Sequence, residues 1–328
     1  MRSSLILGIS GQDGYYLTRL LLAKNIAVIG IVRDKNSAAV SSFSSNFKNV
    51  VIVEWDMKDP VVIESILSQY NVDKIYNLAA LASGSGMFDE PVNMGDINGL
   101  SIVRILEAIR KLDRSIKFCQ ASSSEVFGEA TSSPQTESTV RNPRSLYGSA
   151  KMYADSVIGI YRRHYGLFAC SAILYNHESP RRDLRFVSRW ITRNVAEIKC
   201  GIQDKLYIGN LEAKRDWGYA GDYVNAMYLM LQQEKPEDYV IATGIARTVR
   251  DFCDCAFSYL SLDYRDYVFV DESYLRPNEP MVLVGDPTKA HKILGWSPSV
   301  SFEQMVRMMI DSDLALIKSS IQGDSDNV

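Results

Sequence analysis

Apolar and polar positions follow a regular order through the first half of the chain. Short, almost wholly apolar runs predict buried strands, and each is followed by a longer stretch with helical spacing of apolar residues. Strands alternating with helices are typical of a parallel sheet with helices on both faces, so we predict an α/β, Rossmann-type doubly wound fold. The predicted strands are 5–7, 27–32, 50–53, 74–80, 116–121 and 168–174, and the predicted helices begin after Gly14 and cover 61–70, 93–112 and 146–165.

The alternation breaks after residue 175, where a dense polar segment begins. We therefore predict a dinucleotide-binding domain over 1–174, with returns to it near 216–243 and 281–296, and a smaller interleaved α/β lobe over 175–328. Residues 36–46 are rich in Ser, Ala and Asn and predict a loop, and the polar end, 320–328, predicts a disordered tail. Further predicted elements are helices at 186–199, 222–234, 249–260, 286–294 and 301–318, and strands near 206–210 and 239–242.

Composition excludes some classes of function. The chain is 46% hydrophobic and 23% charged, with a formal net charge of -3. This weak acidity gives no general attraction to nucleic acid or an anionic membrane. The five cysteines are scattered without zinc spacing, so we expect reduced thiols and no metal site. The first apolar run ends at Gly8, too short for a signal sequence or membrane span, and we expect a cytoplasmic protein.

The first predicted strand leads into a glycine turn, Gly8-x-x-Gly11-x-x-Gly14, followed by a predicted helix. Glycines allow the backbone to approach a pyrophosphate, and the helix N-terminus offers free N–H groups and the positive end of a dipole. In this strand–turn–helix context the turn predicts dinucleotide binding, although a turn needed only for packing is the alternative.

Two acidic positions bear on the adenosine end of such a cofactor. The second predicted strand ends at Arg33 and Asp34, where an acid favours NAD and a base favours NADP, so both remain open. Asp56 follows the third strand, and contact with the adenine and capping of a turn are equally good interpretations.

Four side chains on two segments suggest redox chemistry. Ser123 and Glu125 follow the fifth predicted strand, and Tyr147 and Lys151 are spaced i, i+4 at the start of a predicted helix, on one face of it. A positive Lys151 beside a nicotinamide cation lowers the pKa of Tyr147, which can then accept a hydroxyl proton. Ser123 would hydrogen-bond the same oxygen, and the cofactor would take the hydride.

Glu125 adds a group that a simple dehydrogenase does not need. A carboxylate beside an oxidised carbon can remove the neighbouring C–H proton, because the ketone acidifies it. Loss of a hydroxyl one carbon further on gives an enone, and return of the hydride completes a redox-neutral dehydration. The alternative is a solvated loop carboxylate.

The order of Ser123, Tyr147 and Lys151 resembles that of the short-chain dehydrogenase/reductase superfamily. Over nearly the whole chain the sequence is similar to one extended branch of it, the GDP-mannose 4,6-dehydratase family. The run Asn176-His177-Glu178-Ser179-Pro180-Arg181-Arg182 is far more specific than any glycine loop. The other matching segments are Gly8 to Gly14, Asn77 to Ala80, Ser122 to Glu125, Pro143 to Tyr147, Arg215 to Gly218, Arg276 to Glu279 and Gly285 to Ala290.

The resemblance implies an activity and a set of roles. The implied enzyme is a hydro-lyase with a tightly bound nicotinamide cofactor, in which Ser123, Glu125, Tyr147 and Lys151 are catalytic. Tyr147 and Lys151 also contact the cofactor, which we expect to be NADP, with NAD as the alternative because of Asp34. The other implied cofactor contacts are Gly8, Gly11, Gln12, Asp13, Gly14, Arg33, Asp56, Met57, Leu78, Ala80, His177 and Arg182, and the implied substrate contacts are Ser83, Met87, Asn176, Arg215, Arg276 and Glu279.

The substrate-facing segment departs from the family pattern between Leu81 and Met87. GDP-mannose is the default substrate, and GDP-N-acetylglucosamine or a GDP-heptose is a close rival. A nucleotide-sugar epimerase or a 4-ketosugar reductase of the same fold is the first alternative, and a non-catalytic cofactor-binding regulator is a remote one. We expect a homo-oligomer in which helices 93–112 and 146–165 pair with their copies; dimer and tetramer both remain open.

Overall fold

The computed structural model describes residues 2–81, 90–274 and 282–325. Within these ranges a parallel sheet of seven strands has the order β10-β6-β5-β4-β1-β2-β3. The order 3-2-1-4-5-6 is that of a doubly wound dinucleotide-binding sheet, so the predicted fold class is confirmed. The first six strands of this sheet are β1 Ser3–Leu7, β2 Ala27–Val32, β3 Val51–Glu54, β4 Val72–Asn77, β5 Lys117–Ala121 and β6 Ala169–Leu174. Its seventh strand is β10 Tyr239–Ile241, since β7, β8 and β9 belong to two small sheets described below.

The strands are apolar because both faces of the sheet are covered. In β1, Ile6 belongs to the apolar cluster on one face, whereas Leu5 and Leu7 belong to the cluster on the other. Alternate residues of a strand point to opposite faces, so a strand buried on both sides loses the usual alternation of polar and apolar positions. The helices are α1 Gln12–Ala23, α2 Ala38–Asn46, α3 Pro60–Gln69, α4 Pro91–Gly95, α5 Ser101–Leu112, α6 Leu146–Tyr165, α7 Val187–Lys199, α8 Ala220–Met230, α9 Val249–Tyr259 and α10 Phe302–Ser325.

The C-terminal part has its own apolar cluster, which includes Ile191, Trp217, Phe252 and Met309. Two small sheets accompany it, with strand orders β11-β9-β7 and β12-β8. The division of the chain into two domains stays a prediction. The strands of the small sheets are β7 Asn176–Glu178, β8 Leu206–Ile208, β9 Lys214–Tyr219, β11 Ala246–Thr248 and β12 Val268–Val270.

Several sequence predictions were wrong in detail. The segment 36–46, predicted as a loop, contains α2, because Val40 and Phe43 lie one turn apart and both are buried. The polar run after residue 175 contains β7, which pairs with β9. The predicted helix 93–112 begins at Pro91 and is interrupted by a π-helical turn, Asp96–Leu100. The last helix, α10, extends to Ser325 and so includes part of the predicted disordered tail.

Candidate active site

The glycine turn lies between β1 and α1, at the carboxyl edge of the sheet. Gly8 has φ 77°, a left-handed conformation that favours glycine. A Cβ at Gly14 would lie 2.3 Å from the carbonyl oxygen of Ile9, so only glycine allows α1 to start this close to the strand. Gly11 caps α1 without a side-chain hydrogen bond, which leaves the first-turn N–H groups open to an anion.

A cleft of about 630 Å³ opens directly above this turn. Its floor is the glycine turn, and its opposite wall is the segment that carries the two adjacent arginines. Leu78 and Ala80, which follow β4, complete one side, so these two predicted cofactor contacts are brought to the cleft. The lining residues are Gly8, Ser10, Gly11, Gln12, Asp13, Gly14, Ala39, Leu78, Ala80, Pro180, Arg181, Arg182, Asp183, Arg185 and Phe186.

An ion pair joins the glycine turn to β7. The Nε2 atom of His177 lies 2.9 Å from a carboxylate oxygen of Asp13, and its Nδ1 atom lies 2.7 Å from the Tyr175 carbonyl oxygen. Burial lowers the pKa of His177, but the Asp13 carboxylate outweighs it, so the pKa is raised. Burial likewise raises the pKa of Asp13, and His177 reverses this, so that pKa is lowered. Both ring nitrogens of His177 thus face acceptor oxygens, and this geometry together with the raised pKa favours the protonated ring beside the cleft.

Two further contacts fix the same wall of the cleft. The Gln12 side-chain amide donates to the His177 carbonyl oxygen at 3.0 Å and accepts from the Ser179 hydroxyl at 2.7 Å. Arg182 forms an ion pair with Glu178 at 3.0 Å and lies over the ring of Phe186. The segment predicted from its sequence to contact the cofactor is thus rigidly attached to the glycine turn.

The residues predicted at the adenosine end are more exposed. Arg33 and Asp34 are both exposed after β2, and the Asp34 carboxylate accepts from the Asn36 N–H at 2.8 Å. The Asp56 carboxylate accepts from the Lys58 N–H at 2.9 Å, so it caps a turn, as one of its two interpretations proposed. Met57 is buried, with φ 67°.

Close packing brings the segment after β5 against the start of α6. A Cβ at Gly148 would lie 2.4 Å from the Glu125 carbonyl oxygen, and a Cβ at Gly128 would lie 2.3 Å from the Asn142 carbonyl oxygen. Ser123 caps the 3₁₀ turn Ser124–Val126 by accepting from the Glu125 N–H at 3.2 Å. Glycine at position 148 is what allows the Glu125 and Tyr147 segments to touch.

Tyr147 and Lys151 lie one turn apart on α6, as their spacing predicts. The Lys151 Nζ atom lies 5.7 Å from the centre of the Tyr147 ring and donates to the Ala121 carbonyl oxygen at 2.7 Å. Burial raises the pKa of Tyr147 to about 12, and a hydrogen bond with Ser123 opposes that shift. Burial lowers the pKa of Lys151 to about 8. The structure therefore brings together a phenol, a hydroxyl and an ammonium.

Glu125 lies beside this group. Its carboxylate raises the pKa of Tyr147, which places its negative charge close to the phenol. The Oε2 atom of Glu125 is buried and has no hydrogen-bond partner among the described residues. A buried carboxylate oxygen without a partner is costly for stability, so a role toward a bound molecule is favoured over a solvated loop carboxylate.

Only part of the predicted substrate site can be placed. Asn176 opens β7 and pairs in register with Trp217 of β9, the strand that also carries Arg215. Arg215 donates to the Lys214 carbonyl oxygen at 2.7 Å, and both predicted residues are partly buried. The other predicted substrate contacts, Ser83, Met87, Arg276 and Glu279, lie outside the described residues.

Two buried polar residues near the site were not predicted. Asp155 lies one turn after Lys151 and accepts from the Ser122 hydroxyl at 2.8 Å. Asn98, in the π-helical turn, accepts from the Leu81 N–H at 2.9 Å and donates to the Leu81 carbonyl oxygen at 3.0 Å. The i, i+4 spacing of Lys151 and Asp155 is a signal that could have identified the first. For Asn98 no such signal exists in the sequence.

All five cysteines are free thiols, as expected from their spacing. Among the residues that the structure describes, no group of three or more His, Cys, Asp or Glu side chains is placed to hold a metal ion. No helix in the same part of the chain is long and apolar enough to cross a membrane.

Solved structures with this fold include several nucleotide-sugar enzymes. The UDP-glucose 4-epimerase of Thermotoga maritima has a TM-score of 0.85 at 24% identity, and the match covers 96% of this chain and 99% of that chain. The dTDP-glucose 4,6-dehydratase of Bacillus anthracis, solved with NAD, has a TM-score of 0.81 at 22% identity, over 95% and 96% of the two chains. At these identities the likeness establishes the fold.

Sequence relatives establish more. The family model described as GDP-mannose 4,6 dehydratase matches residues 5–309. The chain is 46% identical to GDP-mannose 4,6 dehydratase 2 of Arabidopsis thaliana, over 96% of this chain and 87% of the relative. It is 40% identical to the human GDP-mannose 4,6 dehydratase, over 97% and 92% of the two chains. These matches cover the glycine turn, the Ser123–Lys151 site and the His177 wall together, and the chain belongs to the GDP-mannose 4,6-dehydratase family.

Proposed function

We propose that the protein is a hydro-lyase that converts GDP-mannose into a GDP-4-keto-6-deoxy sugar. The observation that carries the proposal is the position of Glu125, whose buried and unpartnered carboxylate oxygen lies beside the Ser123, Tyr147 and Lys151 group. That group alone fits any dehydrogenase, epimerase or reductase of this fold. The additional base is the group that elimination of water requires.

A nicotinamide dinucleotide fits the cleft above the glycine turn. The uncapped N–H groups of α1 are open to an anion there, Arg182 lines the same space, and His177, whose pKa is raised, flanks it. When bound, the cofactor would accept a hydride from C4 of the sugar and return it at C6. We propose NADP, with NAD as the alternative. Arg33 is exposed at the position of the adenosine ribose, and the Asp34 carboxylate is already engaged in its own turn.

The first proton transfer falls to Tyr147. Its phenolate would accept the proton of the C4 hydroxyl as C4 is oxidised, and Ser123 would donate to the same oxygen. Because burial raises the pKa of Tyr147, positive charge must offset it. Arg182 lowers the pKa of Tyr147, and Lys151, whose Nζ atom lies 5.7 Å from the centre of the ring, would add positive charge from its own helix.

The second proton transfer falls to Glu125. The C4 ketone acidifies the C5–H bond, and the Glu125 carboxylate takes that proton. The C5–C6 double bond then forms as the C6 hydroxyl leaves, and Glu125, now protonated, can donate to the departing oxygen, so one water is released. Tyr147 would then deliver to C5 the proton that it took from the C4 hydroxyl, and hydride return to C6 would complete a reaction without net oxidation.

The nucleotide end of the substrate is assigned to the C-terminal lobe. Arg215 and Arg276 would bind the diphosphate, Glu279 would accept from the guanosine, and Asn176, Ser83 and Met87 would face the sugar. Because residues 81–87 depart from the family pattern, GDP-N-acetylglucosamine and a GDP-heptose are the alternative substrates.

A homo-oligomer is proposed from the outer face of α6. Leu146, Tyr153 and Ile160 are spaced by seven residues and are 39%, 44% and 50% exposed. An apolar stripe of this period on a long helix suits pairing with a second copy, in a dimer or within a tetramer. Light scattering of the protein and of a Tyr153→Lys variant tests this pairing: the variant is expected to dissociate.

The activity is tested by incubating the purified protein with GDP-mannose and measuring product mass. Loss of one water from the sugar supports the proposal. An unchanged mass with altered stereochemistry would indicate an epimerase. No change in GDP-mannose, but a gain of two hydrogens by a GDP-4-keto-6-deoxy sugar with added reduced cofactor, would indicate a reductase. Binding of cofactor and GDP-sugar without turnover would indicate a regulator.

A further inference from the structure

Asp155 is a buried carboxylate that the proposed reaction does not use. Its side chain is completely buried, one helical turn after Lys151. Burial raises its pKa to about 6, and the Arg141 guanidinium, which approaches to 3.6 Å from the loop before α6, opposes that shift. The carboxylate is thus ionised at neutral pH, although burial makes a charge there energetically unfavourable.

The contacts of Asp155 connect it to the catalytic segment. Its Oδ2 atom accepts from the Ser122 hydroxyl at 2.8 Å, and Ser122 lies between Ala121 and Ser123 in the chain. The Ala121 carbonyl oxygen accepts from Lys151 Nζ at 2.7 Å. Asp155 therefore faces the same short segment that holds the Lys151 ammonium.

The charges around Lys151 are few. Burial lowers its pKa, and the carboxylates of Asp155, from its own helix, and Asp13, from α1, raise it. Asp13 is already engaged by His177 at 2.9 Å. Of these two carboxylates, Asp155 raises the pKa of Lys151 more.

The surroundings of Asp155 include a second acid. Asp238, which precedes β10, raises the pKa of Asp155, while the nearby Ser171 side chain of β6 and the hydrogen bond from Ser122 lower it. Asp238 is itself engaged, since it accepts from the Ser171 N–H at 2.7 Å and pairs with Arg162. Arg141 is thus the cation that faces Asp155 from outside its own helix.

We infer that Asp155 is a positioning residue of the proposed dehydratase: held ionised by Arg141, it is the counter-charge that keeps Lys151 protonated for its work on Tyr147. A purely stabilising role does not account for it. Its Oδ1 atom is buried and finds no hydrogen-bond partner in the described ranges. A buried carboxylate oxygen without a partner is costly, and a buried ion pair is itself weak evidence of a stabilising role, because an apolar pair in its place is often neutral or stabilising.

The inference rests on the proposed function and is tested with Asp155→Asn. Without the counter-charge, the pKa of Lys151 falls, so the cation is lost at lower pH. The high-pH limb of kcat is expected to move down by about 1 pH unit or more, the usual effect of a nearby opposite charge. At pH 8, a downward shift of about 1 pH unit lowers kcat by about fivefold while KM for GDP-mannose stays within about twofold, because Asp155 does not touch the sugar.

A direct readout separates this charge effect from a structural one. The protein is labelled with ¹³C at lysine Cε, and the resonance missing in Lys151→Arg is followed with pH. Its midpoint is expected at about 8 in the wild type and lower in Asp155→Asn. Arg141→Gln should shift the midpoint in the same direction. Arg141→Lys keeps the positive charge and should have a midpoint close to that of the wild type. Ser122→Ala, which removes one hydrogen bond to Asp155 and keeps the carboxylate, is the matched control and should shift the midpoint much less than Asp155→Asn does.

Each outcome decides the question. A wild-type midpoint in Asp155→Asn would overturn the inference, as would a Ser122→Ala variant that reproduces the whole effect of Asp155→Asn. If the wild-type protein removes no water from GDP-mannose, the proposed function fails instead. The lysine titration then still shows whether Asp155 controls the charge of Lys151.

Discussion

Replacement of Glu125 by glutamine separates the two halves of the proposed reaction. The amide has the shape of the carboxylate but cannot accept the C5 proton. Loss of a general base costs about 10²-fold or more in rate, which corresponds to about 3 kcal/mol in the activation barrier. Because the Glu125 carboxylate raises the pKa of Tyr147, its removal lowers that pKa. The C4 oxidation step should therefore persist while loss of water slows.

The assay measures both steps in single turnover. Product mass gives the rate of water loss, and the absorbance of reduced nicotinamide gives the extent of C4 oxidation. Glu125→Gln is expected to accumulate the reduced form and to release water at least about 10²-fold more slowly. Glu129→Gln changes an exposed carboxylate on the same loop and should keep turnover within about twofold. Normal release of water by Glu125→Gln would refute the role of Glu125 as the base. If C4 oxidation and water release slow by the same factor, Glu125 acts on the redox step instead.

Three further perturbations test the remaining geometry. Tyr147→Phe should lower both C4 oxidation and water loss by about 10²-fold or more, measured in the same assay, with unchanged cofactor content as the control. Gly14→Ala should destabilise the protein by about 1–3 kcal/mol in thermal unfolding and release the cofactor, because its Cβ would meet the Ile9 carbonyl oxygen. The control Gly95→Ala adds a Cβ with no atom within 4 Å and should be neutral or stabilising. The raised pKa of His177 makes its ion pair with Asp13 stabilising at acidic to neutral pH, and this contribution is lost as the pH rises through the pKa of the folded state. The difference in unfolding free energy between wild type and His177→Gln should therefore narrow as the pH rises above about 6.5, the ordinary pKa of histidine, and a constant difference would contradict an ionic pair.

The sequence predicted the central sheet and the proximity of Tyr147 and Lys151 well because both depend on local patterns. Buried strands are continuous apolar runs, and Tyr147 and Lys151 are brought together by helical spacing alone. Segment α2 was missed because its composition of Ser, Ala and Asn is that of a loop, and the burial of Phe43 that stabilises it is a tertiary effect. The short strand β7 was missed because its residues are polar and it forms by pairing with β9, some forty residues later in the chain.

Contacts distant in sequence explain the other omissions. The ion pair of Asp13 with His177 joins residues 164 positions apart, so no local pattern predicts it. The proximity of Arg141 to Asp155 depends on how the loop before α6 folds back, which composition does not reveal. The Asp56 carboxylate accepts from the Lys58 N–H and so caps a local turn, which is one of its two interpretations, and its contact with the adenine stays a prediction.

The most direct measurement is product mass after the purified protein, as isolated and with no added cofactor, has been incubated with GDP-mannose and, separately, with GDP-N-acetylglucosamine. A bound nicotinamide that is oxidised and reduced once in each cycle needs no replenishment. We predict that GDP-mannose loses one water over many turnovers, with no net change in cofactor absorbance. If neither GDP-sugar loses water, the dehydratase function is contradicted; if GDP-N-acetylglucosamine alone loses water, the dehydratase mechanism stands and GDP-mannose is the wrong substrate.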